Sequence, residues 1–456
     1  MAPNCPGDHA SSGLFGAIPP TNLDRDRFTK TVQVTRLKTA RRNLHIVRRL
    51  LRKYVYRIHN HKAFERTNKE QQDNTAYIYL DGGLVKTWDD LPNAVRQEFE
   101  EYGLTSCSLE PYDLRLGYDN MPADEIFKHL LPEGSEGISS FTSVGHLIHV
   151  NVRDELKPYR HLIGQVLLDK NSQALAVVNK SNIIDNTYRN FAMEIVAKRD
   201  AVGDKPDSEL LLVQVKENDC RFKLDFSSVY WNSRLGTEHE RIVKKFQPDL
   251  DIVFDLCAGV GPFSIPAARM NCAVYANDLN PECIKWLRCN AKLNRVESQL
   301  HIYNLDARDF IRNELTNLLL EQYKRLQTDP PHATPRIHIM MNLPAIAVEF
   351  LPCFVGLFTH TKDELLKLHK LYEHIVHCYC FLKGDYSNPK IAVRQMIEKN
   401  LGMTLEEDEL LDMYNVRHVA PKKDMYRVDI KLSARILFAA IPDGGHDGSD
   451  VKRLKV

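Results

Sequence analysis

Residues 253–280, VFDLCAGVGPFSIPAARMNCAVYANDLN, read as a strand, a glycine turn, a helix and a second strand. Val253 and Phe254 lead into Asp255, and Gly259 and Gly261 then permit a tight turn and a close backbone approach that no residue with a Cβ allows. The spacing predicts a helix over Phe263 to Met270 and a strand over Cys272 to Ala276. Asp278 follows at the carboxyl end of that strand, where an acidic side chain can accept both hydroxyl protons of a ribose. The pattern defines a nucleoside-binding corner.

A dinucleotide fingerprint places a third Gly or Ala three residues after the second glycine, which leaves the helix terminus open to pyrophosphate. Here Ser264 occupies that position. An acid before the turn, two glycines one residue apart and no evident phosphate ligand suit the methionine half of S-adenosylmethionine better. The plain alternative is a structural strand-to-helix turn. Asp255 in front and NDLNP behind favour the ligand.

Working outward, α/β alternation continues from Asp249. LHIYNLDARDFI supplies a strand with Asp306 at its end, and 327–335 reads as a polar surface insertion. RIHIMMNLPAIAVEFL gives a buried strand ending in Asn342-Leu343-Pro344, and IVHCYCFL and YRVDIKLSARI complete the sheet. Ligands of open α/β sheets bind at the carboxyl ends of the strands. Pro344 cannot continue a ladder, and Asn342 offers a donor and an acceptor to a planar nitrogenous target. Alone, such a tripeptide is usually only a turn.

Upstream, in YWNSRLGTEHER, Thr237 is placed to cap a helix that carries Glu238, a candidate general base, to the mouth of the pocket. A solvated helix start is the bland reading. Tyr230 and Trp231 suit either base stacking or core packing.

The whole chain holds 456 residues with a formal net charge of +1, 43% hydrophobic and 27% charged residues, the composition of a globular protein of several domains. From Arg27 to Lys62 it carries Lys and Arg but no Asp or Glu. That stretch begins as a strand near Thr31 to Thr35 and continues with Leu44, Val47, Leu51 and Val55 at helical spacing, flanked by Arg48, Arg49, Arg52 and Lys53. It reads as an RNA-facing helix, a solvated face or a mitochondrial presequence, with a small folded α/β domain favoured. Residues 87–136 look like acidic helical connection, and 133–145 like a boundary loop. Ten cysteines without a CxxC pair point to reduced thiols, and no run reaches membrane-spanning length, so no membrane partner is expected.

Taken in order, FSSVYWNSRLGTEHERI, DLCAGVGPFSIP, NDLNP, NLPAIAVEFL and VAPKKDMYRVDIKL resemble the archaeal and eukaryotic tRNA guanine-37 N1-methyltransferase family, and its animal members in particular. The likeness runs from about residue 25 to 440. It implies an α/β architecture: a Rossmann-like class I methyltransferase domain (246–440) preceded by a mixed α/β middle domain (137–245) and a small N-terminal α/β domain (24–118) that recognises tRNA. A connector (119–136), a disordered start (1–23) and a flexible tail (441–456) complete it.

The same resemblance implies S-adenosylmethionine as cofactor and a tRNA with guanine at position 37 as partner. It implies Glu238 as the base, Arg189 as the group meeting charge on guanine O6, and Asn342 as the residue placing the target base. For the cofactor it implies Asp278 and Asp306 at ribose and adenine, with His239, Asp255, Gly259, Gly261, Asn277, Leu305 and Asn342 around them. His239 departs from the arginine common in archaeal relatives. No metal is expected, and a monomer distributed among cytoplasm, nucleus and mitochondrial matrix is. An aminocarboxypropyl transferase, another enzyme modifying position 37, and an inactive RNA-binding scaffold remain the alternatives.

Overall fold

The computed structural model describes residues 22–66, 74–135, 141–180, 193–329, 333–359 and 372–440. Arg189, the start to residue 21 and the tail from 441 lie outside them, so the expectations made for those positions do as well. Two compact units form: Met1–Phe141 with Ile148–Asn179 and Ile195–Gly203, and Thr142–Leu147 with Lys180–Glu194 and Asp204–Val456. Residues 137–245, read above as one middle domain, are divided between them.

In the first unit, the strand expected near Thr31 to Thr35 runs over Lys30–Ala40 and sits inside a four-stranded antiparallel sheet, between Thr75–Leu80 and Leu109–Leu116. Leu109–Leu116 corrects the reading of 87–136 as helical connection: helices Asn93–Glu101 and Ala123–Leu130 flank a strand paired from Lys30↔Leu116 to Leu37↔Leu109. Its apolar residues, Leu114 and Leu116, alternate with polar ones, and pairing overrides the acidic helical pattern around it. The basic helix spans only Leu44–Leu50. Val55 leaves it to bridge Leu80, and Tyr56 N–H bonds Tyr79 O at 2.9 Å, so the apparent helical spacing ends in β pairing. Leu37, Val47, Leu51, Ile78 and Phe99 form the core beneath.

The second unit is built around a seven-stranded sheet, preceded by a separate two-stranded hairpin. A hairpin of β1 (Leu212–Glu217) and β2 (Cys220–Asp225) precedes helix α1 (Gly236–Val243). Then come β3 (Ile252–Asp255), α2 (Ser264–Arg269), β4 (Ala273–Asn277), α3 (Pro281–Asn294) and β5 (Leu300–Tyr303). Helix α4 (Thr316–Thr328) leads to β6 (Arg336–Met341) and β7 (Glu373–Lys383), and α5 (Pro389–Leu401) to β8 (Leu410–Ala420) and β9 (Lys423–Lys431). The sheet order is β5-β4-β3-β6-β7-β9-β8. Pairings are parallel from β5 through β7 and antiparallel beyond.

Helix α2 and strand β4 fall within a residue of their expected positions. Strand β8 was not anticipated. It is an edge strand whose Asp412, Asn415, Arg417 and His418 give it the composition of a loop, with register shifts along its pairing to β9.

One face of the sheet is apolar: Val376, Cys378 and Cys380 of β7 and Val428 and Ile430 of β9 join the main core. Period-two alternation turns His377, Tyr379, Arg427 and Asp429 to the other face. They are cross-strand neighbours there, in register as His377↔Asp429 and Tyr379↔Arg427. Contacts from Glu238, Lys245 and Phe246 show that α1 and the turn after it cover this face.

Candidate active site

The two glycines of the turn do different work. Both have positive φ, +56° at Gly259 and +101° at Gly261. A Cβ at Gly261 would lie 2.7 Å from Ile265 and 2.7 Å from Leu287, so this glycine lets α2 and α3 close on the turn. A Cβ at Gly259 would meet open space. Only the first glycine therefore leaves room for a ligand, which refines the reading that gave both the same role.

Asp278 stands just past β4 with both carboxylate oxygens engaged: Oδ2 accepts from Gly259 N–H at 2.8 Å and Oδ1 from Asn280 N–H at 2.9 Å. The Cys283 thiol hydrogen-bonds the same carboxylate, which leaves it one acceptor site, so the residue can brace the turn and still accept from a ribose. Burial pushes its carboxyl above the usual range, against those backbone bonds. Asn277 is spent on the scaffold. Its Nδ2 donates to Leu256 O at 3.3 Å and Leu305 O at 2.9 Å, while its Oδ1 accepts from Leu305 N–H at 2.9 Å, so one side chain ties three strand ends together. Asp306 caps the short helix Ala307–Asp309, accepting from Arg308 N–H at 2.8 Å.

Other polar atoms at this edge are buried without a partner: Asp255 Oδ1, Asn342 Oδ1 and His239 Nε2. Asp255 and Asn342 sit at the carboxyl ends of adjacent parallel strands, since Asp255 is in register with Met340. Burial lifts the Asp255 carboxyl to about 7, although Ser264 Oγ donates to its Oδ2 at 2.6 Å. His239 is fixed through Nδ1, 2.6 Å from Glu217 Oε1, and its ring meets Phe263 edge-on at 4.7 Å. Native proteins rarely leave buried polar atoms unmatched, and a cluster of them beside an open glycine suits a polar nucleoside ligand. These residues fit S-adenosylmethionine.

Glu238 lies on α1, one residue before His239, and is 4% exposed. It is neither a solvated helix start nor, at that burial, a residue displayed at a mouth. Thr237 does not cap the helix: Leu235 stands at the N-cap without a side-chain bond, and Asn232 caps the preceding turn through Arg234 N–H at 3.1 Å. Three donors converge on the Glu238 carboxylate. Tyr379 O–H reaches Oε1 at 2.9 Å, Arg427 Nη1 reaches Oε1 at 3.1 Å, and Arg241 bonds Oε2. Burial pushes the Tyr379 phenol far up, so it keeps its proton and donates. These donors, two of them guanidinium groups, match the charged form of a carboxylate. One acceptor site on Oε2 is left over.

The cofactor corner and this carboxylate are neighbours. Phe263, which touches His239, has its ring 6.2 Å from that of Tyr379, the donor to Glu238. Of the two aromatic candidates, Trp231 packs into the core against Phe222 at 5.4 Å, while Tyr230 is 56% exposed. Arg241, Tyr379, Arg427 and Glu217 were not singled out from sequence, although the alternating Arg and Asp inside the apolar strand YRVDI was a usable signal.

The parallel sheet, the glycine turn and the strand-end acids define a Rossmann-like class I methyltransferase. Residues 213–328 match the family model described as the TRM5/TYW2 methyltransferase domain, and residues 123–200 that of the TYW2 N-terminal domain. A tRNA (guanine(37)-N(1))-methyltransferase of Drosophila melanogaster is 45% identical, aligned over 91% of this chain and 85% of its own length. Its counterpart in Xenopus tropicalis is 40% identical over 94% and 82%. The crystal structure of Trm5b from Pyrococcus abyssi shares the fold, with a TM-score of 0.54, 22% identity and coverage of 87% of this chain and 98% of that one. The chain belongs to the tRNA (guanine(37)-N(1))-methyltransferase family.

Proposed function

We infer that the chain transfers the methyl group of S-adenosylmethionine to N1 of guanine 37 in the anticodon loop of tRNA, with Glu238 taking the N1 proton. The observation that carries the role of Glu238 is a buried carboxylate, fixed by three donors and left with one acceptor site, beside the corner that suits the cofactor. When bound, the cofactor supplies an electrophilic methyl group and a neutral thioether leaving group.

Guanine N1 bears a proton at neutral pH, so its electron pair becomes available to the methyl carbon only as that proton leaves. A carboxylate already ionised accepts it without a preceding deprotonation. Holding the base and the nucleophile in one geometry provides much of the acceleration, and no covalent enzyme intermediate is needed. Asn342, at the end of β6, presents its amide to the planar target. Asp255, Asp278 and Asp306 hold the cofactor, and Arg189 meets the charge that builds on O6. Turning a stacked loop base into the pocket costs roughly a few kcal/mol. Exposed Tyr230 offers a stacking surface to offset it. Arg52, Lys53 and Arg57 line a surface groove of the first unit and are candidates for phosphate contacts.

The test is transfer from labelled S-adenosylmethionine to two transcripts of one tRNA, carrying guanine or adenine at position 37, with mass identification of the product. Label as 1-methylguanosine in the guanine transcript alone supports the reading. Release of methylthioadenosine instead of S-adenosylhomocysteine would assign the chain to aminocarboxypropyl transfer.

A further inference from the structure

We propose that Arg427 is a positioning residue for methyl transfer, holding the Glu238 carboxylate in place through a buried polar chain that crosses the sheet to Asp251. The proposal rests on Glu238 acting as the base.

Arg427 is completely buried, and each nitrogen of its fork has an acidic partner. Nε donates to Asp429 Oδ1 at 2.8 Å, Nη1 to Glu238 Oε1 at 3.1 Å, and Nη2 to Asp412. A planar guanidinium committed on all edges cannot rotate toward one partner without leaving another. Asp429 is fixed in turn by Lys245 Nζ at 2.7 Å and His377 Nδ1 at 2.7 Å. His377 Nε2 then meets His338 Nδ1 at 2.9 Å, and His338 Nε2 meets Asp251 Oδ2 at 3.1 Å. Asp251 also takes Arg336 N–H at 2.9 Å and Gln247 N–H at 2.8 Å.

The donors in this chain can be assigned. Burial raises both Asp251 and Asp429, but their hydrogen bonds outweigh it and hold both below the usual range, so the two carboxylates only accept. His338 Nε2 and His377 Nδ1 are therefore the donors to these carboxylates, and the two rings meet at 2.9 Å. Burial holds His338 down to about 4, and His377 lies against Asp429 at 2.7 Å. Asp429 thus faces Arg427, Lys245 and His377, and is anchored from three elements.

A buried assembly of this kind is weak as a source of stability, because apolar packing of the same volume often does as well. Its defined output is at the other end, where Arg427 delivers one N–H to the Oε1 of Glu238 and leaves Oε2 to Arg241 and the substrate. The charged or titratable groups facing Glu238 are Arg241 on its own helix, Tyr379 on β7 and Arg427 on β9.

Arg427→Lys and Arg427→Gln, with wild type and Glu238→Gln, would be compared in single-turnover methyl transfer across pH, alongside affinities for S-adenosylmethionine and tRNA. Arg427→Lys keeps a charge but loses the fork. Its plateau rate should fall ~10-fold, with the acidic limb of the profile close to wild type and both affinities within about 3-fold. Arg427→Gln loses the charge, so Glu238 binds its proton more tightly. The acidic limb should move to higher pH, and the deficit should shrink as pH rises. A double variant, Arg427→Lys with Glu238→Gln, should be no slower than Glu238→Gln alone, because the arginine acts through the glutamate.

A wild-type rate per folded molecule in Arg427→Lys, or additive losses in the double variant, overturns the proposal while leaving Glu238 as base. A wild-type rate in Glu238→Gln overturns both. Should Arg427→Gln fail to fold, Arg427→Lys and its double variant decide the question.

Discussion

The two halves of the seven-stranded sheet treat buried polarity in opposite ways. At the parallel end, β3 and β6 close on Asp255 Oδ1 and Asn342 Oδ1, which are buried and unmatched, and His239 Nε2 is left the same way beside them. At the antiparallel end, Arg427, Asp429 and His377 are as deeply buried, yet each has hydrogen-bond partners. An unmatched buried atom costs free energy that a ligand can restore, whereas a matched network costs flexibility that a base must not have. One half is built to receive, the other to hold still.

That contrast can be broken. Asn342→Ala removes the amide at the receiving edge and should lower the single-turnover rate by ~10²-fold, with little change in melting temperature. A loss of stability without a loss of rate would move Asn342 to the scaffold. Within the turn, Gly261→Ala should destabilise the protein by about 3 kcal/mol or more, because its Cβ would strike Ile265 and Leu287. Gly259→Ala should cost only about 1 kcal/mol of backbone strain but weaken cofactor binding; equal melting temperatures for the two variants would refute the division. Asp278→Ala should weaken S-adenosylmethionine by ~10-fold in calorimetry, through its remaining acceptor site and the turn it braces.

The smallest effect concerns Asp255. Its carboxyl is raised in the folded state from 3.8 to about 7, so its contribution to stability is complete below about 4 and is lost as pH rises through about 7. Asp255→Asn should therefore melt higher than wild type by a few degrees at pH 8 and show little difference at pH 4. A constant difference across that range would place the titration elsewhere.

How far the site could be read from sequence follows the same divide. Glycines, strand-end acids and the tripeptide after β6 occupy contiguous positions where chain direction alone puts them at one edge, so Asp255, Gly259, Asp278, Asp306 and Asn342 were legible. The partners of Glu238 come from β7 and β9, roughly a hundred and forty to a hundred and ninety residues further on, and only antiparallel pairing brings them beneath α1. The environment of Glu238 was misjudged for that reason: nothing near TEHER announces a second guanidinium from Arg427. Local signals also failed in the first unit, where Leu109–Leu116 hid in acidic surroundings and Val55 continued a helical spacing that the chain abandons for a β bridge. In both places long-range pairing decided what local propensity left open.

The role of the antiparallel half depends on Glu238 taking the proton of guanine N1. Glu238→Gln keeps the shape and removes the base, so single-turnover transfer to a guanine-37 transcript at saturating cofactor is its most direct test. Transfer should fall roughly 10²–10⁴-fold with affinity for S-adenosylmethionine nearly unchanged. An unchanged rate would contradict it and reduce Glu238 to one more member of a buried ionic network.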